Sequence, residues 1–315
     1  MDNRKRILVF GSTGFIGSEF TRILMKNQDR YDIYLIMHRR FLYKEYEGIK
    51  IISGSLPDFD LSWLKKINPD YIVHMARMRG RGEIGRAFAA WRGAKANKRI
   101  IDYLIKTDIR PRIIYISGSL VYGSHGEKMV REDEIINPAS YAKQYINAEK
   151  PWMECLENKS LPVSILRPPW IVGKDSWFKY FFLNQIEKHS MVPLIGEGNN
   201  WMSVISLEDC ANLIFHFLKE GIDNIYFNVC MPGKYIKLKD FVSNISEIAS
   251  APVQNFPTKK AKNIFGETAT KAFETSLKLH TQYPEIYSGY TFRDTDIEMI
   301  VSRNLKDITI ANHKS

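Results

Sequence analysis

Residues 11–17, Gly11-Ser12-Thr13-Gly14-Phe15-Ile16-Gly17, carry the plainest chemistry in the chain. An apolar run, Ile7-Leu8-Val9-Phe10, precedes them, and Phe15–Met25 follows with the apolar spacing of a helix. Strand, glycine loop and helix in that order make a cradle for a pyrophosphate. The first glycine permits a turn that a side chain would forbid. The second lets phosphate oxygens reach the backbone, and the third lets the helix pack on the strand. Free amides and the dipole at a helix N-terminus then favour the anion. The expected ligand is a dinucleotide, NAD or NADP, bound by all seven residues; the alternative is a glycine-rich turn without a ligand.

The next apolar run, Ile33-Tyr34-Leu35-Ile36-Met37, ends in His38-Arg39-Arg40. An acidic residue at this point hydrogen-bonds the ribose of NAD, whereas arginine suits the 2′-phosphate of NADP. Arg39 and Arg40 are therefore read as cofactor-binding, with NADP preferred over NAD; as a bland alternative they are two exposed loop arginines. A second basic segment follows Tyr71-Ile72-Val73-His74-Met75. There Arg77, Arg79, Arg81, Arg86, Arg92, Lys95, Lys98 and Arg99 stand against the acid Glu83. Loops at the carboxyl ends of parallel strands line the ligand crevice, so Arg77 and Arg79, nearest the strand, are candidates to grip phosphates. The later cations read equally well as a solvated helix face. No nucleic-acid motif accompanies the charge, so nucleic acid is not an expected partner.

The elements that must position these residues follow from the apolar runs. Besides those named, Ile113-Ile114-Tyr115-Ile116 and Val163-Ser164-Ile165-Leu166 read as strands, and Ile51-Ile52 as a weaker one. Continuous apolar strands alternating with helical stretches imply an α/β fold around a Rossmann-type doubly wound parallel sheet. After Arg167-Pro168-Pro169 the texture changes. Aromatics crowd Trp177-Phe178-Lys179-Tyr180-Phe181-Phe182, and Gly196-Glu197-Gly198-Asn199-Asn200 reads as a turn. Ser206 can cap a helix from Leu207 to Lys219. The expected division is a dinucleotide-binding domain over residues 1–167 and a smaller C-terminal domain over 168–315. The smaller domain would pack over the open edge of the sheet and return part of its chain to it. From Lys262 onward the chain is charged and helical in pattern.

Bulk composition bounds the class. With 315 residues, 44% of them hydrophobic and 25% charged, the chain can bury a sizeable core. The formal net charge of +10 favours anionic partners without choosing among them. The cysteines, Cys155, Cys210 and Cys230, form no CxxC and are odd in number, which argues against a disulfide scaffold or zinc site. A reducing, cytoplasmic setting fits, and no segment reads as a secretory leader or a membrane insertion.

The spacing Gly-x-x-Gly-x-x-Gly resembles the short-chain dehydrogenase/reductase superfamily. Further segments narrow the resemblance to its extended branch, the NAD-dependent epimerase/dehydratase family. Asp70-Tyr71-Ile72-Val73-His74-Met75-Ala76 resembles that family's fourth strand, and Tyr115-Ile116-Ser117-Gly118-Ser119-Leu120-Val121-Tyr122-Gly123 its fifth strand and turn. Pro138-Ala139-Ser140-Tyr141 resembles the lead into its catalytic tyrosine. Leu166-Arg167-Pro168-Pro169-Trp170-Ile171-Val172-Gly173 resembles the entry to its substrate-binding domain. Ser203–Ala211 and Tyr226–Val229 match later landmarks, so the resemblance covers about residues 6 to 250. It implies that the C-terminal domain binds substrate. It adds Ala76, Arg77, Arg167 and Pro168 to the cofactor set, and it implies hydride chemistry on a nucleotide sugar or related alcohol or ketone. A homodimer through the helices beside strands four and five is also compatible with it.

The family's acid–base set is a Ser or Thr, a Tyr and a Lys one helical turn after the Tyr, whose charge lowers the phenol pKa. Tyr141 stands at the tyrosine position, but four residues on is Tyr145 rather than lysine. Lys143, two residues from Tyr141, falls on another helix face. The Ser/Thr position holds Gly118, flanked by Ser117 and Ser119. The family's asparagine before strand five has no clear counterpart, although Asn97 lies nearby. Without a neighbouring cation a tyrosine titrates near ~10, and losing an acid–base partner costs ~10²–10⁴-fold. Two functions remain open on this reading. One is an NAD(P)-dependent oxidoreductase, epimerase or dehydratase using Tyr141, Tyr145, Ser117 and Ser119. The other is a catalytically silent cofactor-binding protein.

Overall fold

The computed structural model describes residues 4–38, 47–138, 142–173 and 175–312, with side chains through Lys306. Seven strands form its main sheet: β1 (Lys5–Phe10), β2 (Tyr31–Met37), β3 (Lys50–Ser53), β4 (Tyr71–His74), β5 (Arg112–Ile116), β6 (Val163–Arg167) and β7 (Tyr226–Asn228). Their order is β7-β6-β5-β4-β1-β2-β3. Each ladder from β3 across to β6 is parallel, and in register Ile7 meets Ile33 of β2 on one side and Tyr71 of β4 on the other. This is the doubly wound Rossmann-type arrangement. Successive residues of β1, β4 and β6, which point to opposite faces, are buried through most of each strand, so both faces of the sheet are covered.

Alternation sorts the strand side chains. Leu8 and Phe10 of β1, Ile72 of β4, Ile113 of β5 and Val163 and Ile165 of β6 share one buried cluster. The helices α1 (Phe15–Met25), α2 (Ser62–Ile67), α3 (Gly82–Lys106) and α4 (Ala142–Glu157) follow β1, β3, β4 and β5 in turn. Ala96, Ile100 and Leu104 of α3 and Trp152 and Cys155 of α4 complete that cluster. Ile7 and Val9 point to the other face and are just as fully buried.

The chain divides into two compact units. The first holds the sheet and runs over residues up to Ser117, Tyr141–Arg167 and Ala211–Phe227. The second comprises Gly118–Ser140, Pro168–Cys210 and Asn228–Ser315. Within the second, Trp170–Val172 pairs with Val204–Ser206 and Val192–Ile195 with Val253–Phe256, both parallel. Phe178, Phe182, Phe241 and Phe273 pack edge to face in its interior. Ser206 does cap α5 (Leu207–Glu220): its hydroxyl accepts from the Asp209 amide at 3.1 Å. The charged tail contains helices at Thr258–Phe265, Glu267–Phe273 and Ile297–Asn312. Among the described residues no helix is long and apolar enough to cross a membrane.

Candidate functional site

β1 and β4 are neighbours in the sheet, and strand order reverses between them. Ligands of open parallel sheets bind outside the carboxyl ends at such a point. Gly11 leaves β1 with φ +83°, a left-handed backbone that glycine adopts freely. Space excludes a side chain too, because a Cβ on Gly11 would lie 2.5 Å from the Ala76 nitrogen. The glycine loop and the residue after β4 are therefore in contact, which puts Ala76 at the loop. A Cβ on Gly17 would lie 2.0 Å from the Gly11 carbonyl oxygen, so α1 sits directly beneath the turn.

Gly14 is different. Its backbone is ordinary extended chain, φ −76° and ψ 177°, and a Cβ there would meet only the Gly11 oxygen, at 3.1 Å. The fold does not need glycine at 14 as it does at 11 and 17. What the missing side chain leaves open is the approach to α1, which no side chain among the described residues caps and which has no acid in its first turn. Amides of a first helical turn have no partner within the helix and are available to an anion. Ser12 serves the interior: fully buried, its hydroxyl donates to the Ile36 carbonyl at 3.3 Å and ties the loop to β2. Thr13, Phe15 and Ile16 are half-buried along the loop. His38, just after β2, is exposed, whereas Arg39 and Arg40 lie outside the described residues.

The second group of site residues surrounds α4. Tyr141 lies outside the described residues, immediately before the helix. Tyr145 is half-buried, and the Arg77 guanidinium lies 3.3 Å from the centroid of its ring. That is a close cation–π contact. Lys143 is exposed on another side of the helix. Ser117, at the end of β5, donates its hydroxyl to Glu149 of α4. Glu149 in turn accepts from Arg167 at 3.0 Å, and both charged side chains are 1% exposed. Arg167 also lies 4.6 Å from the Tyr226 ring centroid. Arg167, one of the residues expected in the cofactor set, is enclosed and paired, and the pair joins β6 to α4.

Gly118 and Ser119 begin the turn after β5. Gly118 has φ −174°, which any residue adopts, and a Cβ there would meet nothing within 4 Å. Ser119 is 3% exposed and its amide donates to the Pro168 carbonyl at 2.9 Å. Asn97 of α3 is buried and donates to the Ala148 carbonyl of α4 at 2.8 Å, coupling the two helices. His74, at the end of β4, is fully enclosed and stacks on Phe10. Burial pushes its imidazole down to about 4, so it is neutral at neutral pH.

Glu149 as the partner of Arg167, and Tyr145 as the seat of Arg77, are not visible in the sequence. The partners stand 18 and 68 residues apart, and no local spacing announces either pair.

Comparison with known proteins agrees with this architecture. The chain is 25% identical over 285 residues to an uncharacterized protein of Methanocaldococcus jannaschii, covering 83% of each. Its structure resembles a dTDP-glucose 4,6-dehydratase of Streptomyces venezuelae solved with NAD bound, with a TM-score of 0.77, 18% identity and 96% of each chain covered. It also resembles human epimerase family protein SDR39U1 solved with NADPH, with a TM-score of 0.76, 16% identity, and 96% and 99% of the two chains covered. The family model for the NAD dependent epimerase/dehydratase family matches residues 7–230. Glycine loop, strand order and family model thus converge, and the chain belongs to the NAD-dependent epimerase/dehydratase family.

Proposed function

We propose that this protein binds a nicotinamide dinucleotide, NADP in preference to NAD, and transfers a hydride between it and a hydroxyl or keto carbon of a nucleotide sugar or related substrate. The observation that carries the reading is the open cradle at Gly14 over the uncapped start of α1. The residues present fit the group: backbone amides offer donors to a pyrophosphate, and no acid in the first turn repels it. Bound there, the nicotinamide would supply the hydride acceptor or donor. Residues 11–17 would hold the pyrophosphate, with Ala76 beside them and Arg39 and Arg40 toward the 2′-phosphate. Tyr141 would take or return the hydroxyl proton, and Ser119 would orient the substrate oxygen. The C-terminal half, from Pro168 onward, would bind the sugar. Relatives solved with NAD and with NADPH support the cofactor class, and the dTDP-glucose dehydratase supports the substrate class.

A second reading, cofactor binding without turnover, draws on two observations. The Lys position is an aromatic ring covered by Arg77, and the Ser117 hydroxyl is committed to Glu149.

The deciding experiment follows absorbance of NADPH and of NADH with a panel of nucleotide sugars. It compares the wild type with a variant that restores the family's residues. The structure dictates that variant's design. Gly118→Ser enters open space, but Tyr145→Lys would set an ammonium against the Arg77 guanidinium, so it is combined with Arg77→Ala. Under the enzyme reading the triple variant turns over faster, or reaches its optimum at lower pH, than the wild type. If the wild type turns over briskly at neutral pH and Tyr141→Phe changes nothing, the proposed chemistry is wrong. If neither protein turns over any substrate while both bind NADP, the silent reading stands.

A further inference from the structure

The loop after β4 and the facing turns of α3 and α4 enclose a cavity of about 40 Å³. Arg77 and Arg86 line it together with Gln144 and Tyr145, over a floor of Tyr115 and small residues of the two helices. No carboxylate is among its described lining residues. Neither guanidinium forms an ion pair among the described residues, although Lys98 of the same helix pairs with Asp102. The Arg77 guanidinium lies 3.3 Å from the Tyr145 ring centroid. Two polar atoms at the cavity are buried without a hydrogen-bond partner among the described residues: Arg86 Nε, a donor, and Gln144 Oε1, an acceptor that can meet only a protonated oxygen or a water.

Arg77 is exposed and Arg86 half-buried, so both keep part of their hydration, but two like charges bordering one small, partly enclosed space favour an anion between them. A buried donor left unmatched points the same way. At ~10–15 Å³ per water the space holds roughly three waters, about the bulk of one tetrahedral oxyanion. The planar fork of arginine suits the paired oxygens of such a group. We propose that the α3–α4 cavity is an oxyanion site in which Arg77 and Arg86 grip one phosphoryl group, separate from the pyrophosphate cradle of the glycine loop. The group can be free phosphate or the phosphoryl end of a larger ligand. Charge at Arg77 would then be answered at this cavity rather than at residues 11–17.

The test titrates inorganic phosphate into the full chain, by calorimetry and by thermal unfolding at constant ionic strength. Three proteins are compared: wild type, Arg86→Gln and Gly14→Val. The wild type should bind phosphate saturably. Arg86→Gln should weaken that binding at least tenfold, the usual worth of a charge-assisted hydrogen bond, while leaving NADP binding intact. Gly14→Val should keep phosphate binding while losing NADP, which separates this site from the proposed cofactor site. A second arm adds uridine diphosphate: competition with phosphate assigns the site to a nucleotide ligand, and its absence assigns it to free phosphate. Gly93→Ala provides a check independent of charge. Its Cβ would meet Ala148 at an ordinary 3.5 Å, so the fold accepts it while the cavity shrinks and phosphate affinity drops. The proposal is overturned if wild type shows no saturable phosphate effect. It is equally overturned if Arg86→Gln binds phosphate as wild type does, or if saturating NADP abolishes the effect.

Discussion

Three glycines in one loop make separable predictions, because the structure gives each a different reason to be glycine. Alanine at Gly17 would drive a Cβ to 2.0 Å from the Gly11 carbonyl, and alanine at Gly11 would meet Ala76 backbone at 2.5 Å on a φ of +83°. Backbone cannot yield that far cheaply, so both substitutions should cost several kcal/mol of stability, in the range of severe overpacking or strain. At Gly14 the only neighbour is the Gly11 oxygen at 3.1 Å, on a backbone that any residue adopts. Gly14→Val should therefore cost about 1 kcal/mol or less, mostly as a poorer helix N-cap. Its effect on binding is the reverse. Phosphate oxygens must come within about 2.9 Å of the first-turn amides, and a branched side chain at the N-cap stands in that path. Losing two charge-assisted hydrogen bonds at ~1.5–3 kcal/mol each removes about 3 kcal/mol or more, a factor of at least ~100 in Kd. Urea unfolding and NADP calorimetry on Gly11→Ala, Gly14→Val and Gly17→Ala provide the two axes. Gly14→Val binding NADP as tightly as wild type would refute the loop assignment. Gly14→Val unfolding as easily as Gly17→Ala would refute the geometric argument itself.

Two further outcomes follow from the buried charges. His74 is neutral when folded, with its pKa lowered from 6.5 to about 4 by burial, so the unfolded chain binds the extra proton first. Its contribution is intact above pH 6.5 and falls away down to pH 4, by roughly 3 kcal/mol. His74→Phe should flatten that part of a stability-versus-pH curve measured by urea unfolding, and an unchanged slope would contradict it. Glu149→Leu leaves Arg167 enclosed without its partner and should cost about 3–5 kcal/mol, whereas Glu149→Gln, which keeps an acceptor, should cost less. Equal and small losses in both variants would mean the pair contributes little to holding β6 and α4.

The first half of the chain was legible because its signals are local. β1, the loop and α1 occupy consecutive residues, and α1 runs over Phe15–Met25 as the apolar spacing predicts. The strand read at Ile33 begins two residues earlier, at Tyr31, since sheet pairing with Lys5 extends it beyond the apolar run. The C-terminal half gave little. Its strands are two to four residues long, Trp201–Met202 and Ile236–Lys237 among the shortest, too short for any period to register. Their conformation is set by tertiary partners rather than by propensity. At the site the same rule holds. The glycine cradle is written in seven adjacent residues, whereas the Arg77–Tyr145 stack and the Ser117–Glu149–Arg167 chain join distant segments. The sequence shows that a lysine is missing at 145; only the fold shows that a guanidinium lies against what replaced it.

That replacement separates what the cradle needs from what the chemistry needs. Pyrophosphate binding uses backbone amides, a tight turn and the absence of a side chain, and none of these depends on α4. Proton transfer uses side chains, and two of the candidates around α4 are already engaged. The Ser117 hydroxyl serves a buried ion pair, and Tyr145 serves Arg77. Under the proposed function, substitutions at 118 and 145 are therefore expected to change turnover and leave cofactor affinity unchanged. Positive charge is retained beside α4 but relocated to the loop after β4, where it borders the α3–α4 cavity rather than projecting from the helix itself. A cation in that place can hold an anion whether or not a proton ever moves. Ligand binding and turnover must accordingly be measured as independent quantities, since a chain built this way can keep the first in full with any level of the second.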